Sequence, residues 1–423
     1  MTNAITRRGF GAGLAAAAAL TTTANAQAPR LRMLWWGGQD RARRTNEIIA
    51  AYTQRAGVQI DGESFGWGDY WPRVATQTAG GNPPDILQMD FRYLAEYARR
   101  GALVGMNALH AGGAMPLPGF GDRDLAAGRV GGQLHAVACG WNTTSVLINV
   151  TALERANVPR PKADMTWTEM ADWSVQVSEA TQGRMTGTEN GGWNEQGLEI
   201  WVRQRGRLLY GEDGQLALTR DDVAEWLEFW FRLQGRRGTP AADVQALNKR
   251  TPETSMLVLG RAALAFANSN QIQGFQAGMQ DRLDIAMYPR GGQGAAWGSY
   301  LKPSMLMSIP SRSRNHEASA RFINFMMTDP AAAAIGGVER GVPPSAAIRA
   351  QLVGSMSELD RRQIDFIGFM QDKVSALPPS PPQGAGEIDA MLVRLNESVS
   401  FGRLTVPRAA DQFMADAKTA LAK

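Results

Sequence analysis

The sequence predicts an α/β fold in which sheets are flanked by helices, and three observations predict it. Short apolar runs alternate with helical periods from the N-terminal region onward, and glycine or proline turns separate them. The 423 residues, 44% apolar and 20% charged, supply enough apolar surface for two or three cores.

In chain order, residues 31–36 read as a strand, Gly37-Gly38 as its turn, and 41–55 as a helix with Ile48, Ile49 and Tyr52 on one face, ended by Gly57. Residues 58–65 alternate as a strand, and 69–79 follow as a helix opened by an Asp cap. Asn82-Pro83-Pro84-Asp85 makes a turn, 86–89 a buried strand, and 91–100 a helix stopped at Gly101. This spacing argues for a parallel sheet covered on both faces. A second unit begins after Gly140 with a strand at 145–149 and a helix at 151–156. Thr166 and Glu169 have capping-box spacing and open the next helix. Helices over 198–209 and 221–233, strands over 263–267 and 304–309, and a helix over 317–327 complete the alternation. The Pro378–Pro382 run is a rigid surface turn, since a helical pattern resumes at Glu387. No internal repeat of 20 to 50 residues is visible, against solenoids and propellers.

Composition excludes several functions. Lys and Arg total 44 against 40 acids, a net charge of +4 that falls to +2 without Arg7 and Arg8, and no aromatic-basic stripe exists, so nucleic acid is not a partner. The single Cys139 rules out an internal disulfide, and His110, His135 and His316 are too scattered for a zinc pattern, so no metal site is expected. Thr6-Arg7-Arg8-Gly9-Phe10, an apolar stretch at 11–20 and Ala24-Asn25-Ala26 read as a signal peptide over residues 1–26. The paired arginines resemble the twin-arginine type, although Gly11 and Ala12 replace the usual Leu and Lys, and an ordinary secretory signal is the other reading. Either way the periplasm is the expected location, and no later run is apolar enough for a membrane span.

Six stretches, in order, resemble extracellular solute-binding proteins of family 1, the sugar-binding components of ABC importers. They are the opening Leu31-Arg32-Met33-Leu34-Trp35-Trp36-Gly37-Gly38; Gly66-Trp67 through Ala79-Gly80-Gly81-Asn82-Pro83-Pro84-Asp85-Ile86; and the helix end Gly101-Ala102-Leu103. Then come residues 141–170, with Thr166-Trp167-Thr168-Glu169-Met170 at their end; Gly260-Arg261-Ala262-Ala263-Leu264-Ala265-Phe266; and Ser308-Ile309-Pro310 with 320–325. The double Trp-Gly opening and Gly66-Trp67 are most similar to a branch that includes oligogalacturonide-binding proteins.

The resemblance implies a two-lobed periplasmic-binding-protein fold of type II, with residues 27–141 and 269–313 as lobe 1 and 142–268 and 314–423 as lobe 2. Crossings are expected near 141–144, 265–269 and 309–314, with ligand in the cleft between lobes. It also implies a monomer without a cofactor that delivers a sugar or oligosaccharide, acidic or neutral, to an inner-membrane ABC permease and its ATPase.

Sugar rings need flat aromatic platforms beside fork-shaped polar groups. Of the 12 Trp residues, Trp36, Trp67, Trp141, Trp193 and Trp297 stand beside glycines at turns or strand ends, with Trp193 and Trp297 foremost, whereas Trp226 and Trp230, like Trp167 and Trp173, lie within helices as core. Gln39, Asp90, Arg92, Asn142, Asn268 and Asn270 occupy strand-end or crossing positions, although Asp90 also suits a helix cap and Asn268 a turn. Arg340, in Glu339-Arg340-Gly341-Val342-Pro343, matches a family loop near the cleft, and its guanidinium fork suits a carboxylate or vicinal hydroxyls. No catalytic residue is expected. The alternative is an exported enzyme, either a glycoside hydrolase with carboxylates hidden among 40 acids or a cofactor-loaded oxidoreductase, but no GxSxG elbow and no GxGxxG loop after a strand is present.

Overall fold

The computed structural model describes residues 29–370 and 372–422. The expected signal segment lies outside them. Two sheets organise the chain. The first has the order Gln59–Phe65, Arg30–Trp36, Ile86–Met89, Leu306–Ser308, Val137–Ala138. Its first three strands run parallel and the last two pairings are antiparallel. The second has the order Leu283–Ala286, Thr144–Asn149, Ala262–Asn268, Thr186–Thr188, with one parallel pairing, between the last two. The sheets are therefore mixed, not the parallel sheet that the early alternation predicts. The reason is that Leu306–Ser308 re-enters lobe 1 from lobe 2 and meets Ile86–Met89 head to tail.

Local sequence explains most of the elements. Strands buried on both faces need apolar residues at successive positions, and Thr144–Asn149 and Ile86–Met89 are buried throughout. The helix Gln39–Ala56 ends at Gly57, whose left-handed φ of 71° a side chain would disfavour. Thr166 and Glu169 form the capping box of Trp167–Ala180. The helix Trp67–Ala79 begins at Gly66, with Asp69 inside its first turn rather than at its cap.

Each lobe has its own core. In lobe 1, Trp35, Tyr70, Leu34, Ile86 and Phe322 are fully buried, and in lobe 2 Trp226, Trp230, Phe413 and Leu392 are. Trp167 sits at the centre of a lobe 2 aromatic cluster with Trp201, Trp226, Trp230, Phe266 and Tyr288. Several stretches pack on the lobe opposite to the expected one, two of them forming regular elements of its sheet or core. Leu283–Ala286, within 269–313, pairs with Thr144–Asn149 in the lobe 2 sheet. The helix His316–Thr328, within 314–423, places Phe322, Ile323 and Phe325 in the lobe 1 core. Both follow from where apolar faces find partners, which chain order does not reveal.

The crossings shift accordingly. Trp141–Asn142 pairs antiparallel with Lys302–Pro303, and Trp141 exchanges backbone hydrogen bonds of 2.9 and 3.0 Å with Val342. These three segments connect the lobes side by side. Residues 265–268 instead stay within the second sheet, and Ile309 lies in the first core.

Candidate functional site

A cavity lies between the lobes, at the C-terminal ends of strands from both sheets, where open α/β sheets bind ligands. Trp36 ends Arg30–Trp36, Asp90 and Arg92 follow Ile86–Met89, and Asn268 ends Ala262–Asn268. Trp193 stands in the turn before Glu195–Arg203, a helix capped by Asn194. The wall thus unites seven of the expected residues: Trp36, Trp67, Asp90, Arg92, Trp193, Asn268 and Asn270. Trp36 and Trp67 meet edge to face with centroids 5.1 Å apart, so they form one L-shaped aromatic wall.

Five expected residues lie off the wall. Trp297 covers Arg290, whose guanidinium stands 4.4 Å from its ring centre, and packs beside Met287, Phe366 and Met370. Trp141 turns its indole to Asp124, donating at 2.9 Å, and faces an apolar groove with Phe91, Leu94 and Leu301. Asn142 is buried and donates to Asn270 Oδ1 at 2.6 Å, so it orients a wall residue from behind. Gln39 is exposed, and its backbone N–H donates to Glu253 Oε1 of the other lobe at 2.7 Å. Arg340 is buried in lobe 1, donating to Thr45 Oγ1 at 2.7 Å. For Trp141 and Arg340, a carboxylate and a hydroxyl inside the protein have taken the polar group before it could reach the cavity.

Sequence reasoning missed Arg41, Gln196, Arg250 and Glu339 on the wall, and Asp389, which reaches it from the helix Ala385–Ser400. Glu339 carried a signal, being the neighbour of Arg340 in the quoted loop. Asp389 carried none, because a lone acid inside a helix looks like any solvated one.

An ion cluster bridges the lobes. Arg92, from lobe 1, pairs with Glu195 and, at 3.4 Å, with Asp389 Oδ1, both from lobe 2. Arg250 holds the other oxygen of Asp389 at 3.0 Å. Burial works against the charge of Arg92, but the carboxylates of Glu195, Asp389 and Asp90 outweigh it and hold its pKa well above the ordinary value. Burial pushes the Glu195 carboxyl up, against the pull of Arg92. Behind the cavity, burial lowers the Lys302 pKa, with Asp90 the main opposing charge. These ion pairs tie the two lobes together across the cavity as a clasp. Among the described residues no group of three or more His, Cys, Asp or Glu side chains is placed to hold a metal ion, and no helix is long and apolar enough to cross a membrane.

Two mixed α/β lobes, three connecting segments and a walled cavity with side chains from both lobes define a two-lobed ligand-binding protein. The chain belongs to the bacterial extracellular solute-binding proteins, whose family model matches residues 47–353. It is similar to an extracellular solute-binding protein family 1 structure from Alicyclobacillus acidocaldarius, at 26% identity over 94% of this chain and 99% of that one, with a TM-score of 0.62. It shares its fold with a periplasmic oligogalacturonide-binding protein of Yersinia enterocolitica in complex with saturated digalacturonic acid, at 20% identity over 93% and 99% of the chains and a TM-score of 0.82. It also shares it with an ABC substrate-binding protein of Listeria monocytogenes in complex with cycloalternan, at 17% identity over 93% and 99% and a TM-score of 0.77.

Proposed function

We propose that this chain is the carbohydrate-binding component of an ABC importer, exported to the periplasm by its first 26 residues and handing its ligand to an inner-membrane permease with an ATPase partner. One observation carries the reading: the cavity places Trp36, Trp67 and Trp193 around Asp90, Gln196, Asn268 and Asn270, with contributions from both lobes. Indole faces cover the C–H faces of a sugar, and carboxylate and carboxamide groups meet its hydroxyl rim. Ligand contacts to both lobes exist only when the lobes are closed, so binding selects that state. The fold neighbours from Yersinia and Listeria are described with a galacturonide and with cycloalternan, which supports a carbohydrate.

The chain acts by binding rather than turnover. Glycoside hydrolysis uses a pair of carboxylates facing the substrate. Here Glu195, Glu339 and Asp389 are each ion-paired with arginine, which leaves Asp90 as a single wall carboxylate without an ion pair rather than one of two. The test is a thermal-shift screen of the purified chain over mono- and oligosaccharides, where a ligand at 100 times its Kd adds about 2.7 kcal/mol of stability. A panel without any stabilising sugar refutes the reading. For export, the mature N-terminus should be Gln27 by mass spectrometry, and Arg7→Lys with Arg8→Lys should block secretion; unchanged secretion reassigns the signal to the general pathway.

A further inference from the structure

The charges on the cavity wall bear on the ligand itself, given the carbohydrate reading above. Three arginines, Arg41, Arg92 and Arg250, stand against three carboxylates, Asp90, Glu339 and Asp389, so the wall has no net charge. The pairing matters more than the balance. Arg41 lies 2.7 Å from Glu339 Oε1 and also donates to the Trp36 carbonyl at 3.1 Å. Arg92 is taken by Glu195 and Asp389, and Arg250 by Asp389. Arg340, the remaining arginine that the sequence offers for this cleft, is off the wall and engaged with Thr45. Every guanidinium on the wall already faces a carboxylate.

The acceptors stand differently. Asp90 accepts the Arg92 backbone N–H at 2.9 Å through Oδ1, and among the described residues no lysine or arginine forms an ion pair with it. Glu339 Oε2, 3.7 Å from Arg340, and Asn268 Oδ1 are buried without a hydrogen-bond partner. The wall therefore offers buried acceptors at Glu339 Oε2 and Asn268 Oδ1 and, at Asp90, a negative charge without an ion pair. A sugar hydroxyl donates to such a group, whereas a carboxylate only accepts. Enclosing a carboxylate here would bury a second negative charge beside Asp90, and the nearby cation that forms no ion pair among the described residues, Lys302, is buried off this wall with Asp90 already supporting its charge, a costly arrangement.

We propose that the cleft takes an uncharged, polyhydroxylated sugar and discriminates against its uronate counterpart. The Yersinia fold neighbour, described with digalacturonic acid, would then differ from this chain in ligand charge.

The test is calorimetric titration of the full chain with matched neutral and acidic mono- to tetrasaccharides, pairs such as galactobiose and digalacturonic acid that differ by hydroxymethyl against carboxylate. In each pair that binds, the neutral member should be tighter by at least about thirtyfold. An acidic member that binds equally or more tightly overturns the proposal and leaves the carbohydrate reading standing. A panel in which no sugar of either kind binds overturns the carbohydrate reading itself. As a second measurement, Asp389→Asn frees Arg250 and one contact of Arg92. It should raise uronate affinity relative to the neutral partner by about tenfold. An unchanged ratio refutes the claim that committed arginines set the selectivity.

Discussion

Removing Arg92 should open the lobes without unfolding either one. Its side chain is 11% exposed, and the side chains of its partners Glu195 and Asp389 are 5% and 9% exposed, so all three ions are withdrawn from water only while the lobes are closed. Taking away one partner of a buried pair costs about 3–5 kcal/mol, mainly because the other charge is left uncompensated. Asp389 keeps Arg250, and Glu195 keeps a hydrogen bond from Tyr210 Oη at 3.0 Å, which places the Arg92→Met variant at the lower end, about 3 kcal/mol. Opening returns Glu195 to water and avoids that cost, so the closed-to-open ratio should fall about a hundredfold while melting of each lobe stays nearly constant. Spin labels on Glu47→Cys in lobe 1 and Glu225→Cys in lobe 2 read the distance directly, because the native Cys139 is buried. The double variant Arg92→Met with Glu195→Gln removes the orphaned charge and should recover part of the closed population. An unchanged distance distribution in Arg92→Met, or a double variant no more closed than the single one, refutes the clasp.

Two further outcomes separate cleft from core. Trp193→Ala should lower sugar affinity by more than tenfold, about 2 kcal/mol at a stacking hot spot, with little change in the melting of the unliganded chain, whereas Trp226→Ala should cost about 3–5 kcal/mol of stability, read by urea denaturation. The contrast fails if Trp193→Ala melts early and binds normally. Glu189 is fully buried, and burial raises its pKa to about 8 against hydrogen bonds from the backbone of Phe266 and Met256 and from Asn248. The folded chain then holds a proton that the unfolded chain, with an ordinary value of 4.5, has released. Its contribution is complete below about pH 4.5 and is lost as pH rises towards about 8, on the order of a few kcal/mol in all. Glu189→Gln should flatten that slope in denaturation curves across the same range, and an identical slope in the variant refutes the assignment.

What could be read from the sequence was local. The strand and helix alternation of the first hundred residues, the Thr166–Glu169 capping box and the burial of Trp226 and Trp230 all depend on neighbours within a few positions. The same holds for the wall residues that end strands, since Trp36, Asp90, Arg92 and Asn268 reach the cavity because strand ends do. The strand order was not legible: Leu306–Ser308 and Leu283–Ala286 pair with strands far away in the chain, and their sequences do not name those partners.

For charged and aromatic groups, competition decided the outcome. Arg92 and Arg340 both follow expectation in residue type and neighbourhood, yet Arg92 reaches the cavity and Arg340 is bound to Thr45 beneath it. Trp193 and Trp297 both stand at turns, yet Arg290 claims the face of Trp297 and leaves Trp193 on the wall. A guanidinium or an indole can serve a ligand only if no internal partner has taken it first, and those partners come from distant parts of the chain. The same competition bears on the charge of the ligand, which the sequence leaves open between acidic and neutral. Arginines near the cleft, seen as sequence, invite a carboxylate; paired with Glu195, Glu339 and Asp389, they leave Asp90 as the wall charge without an ion pair, and Asp90 favours a ligand that donates.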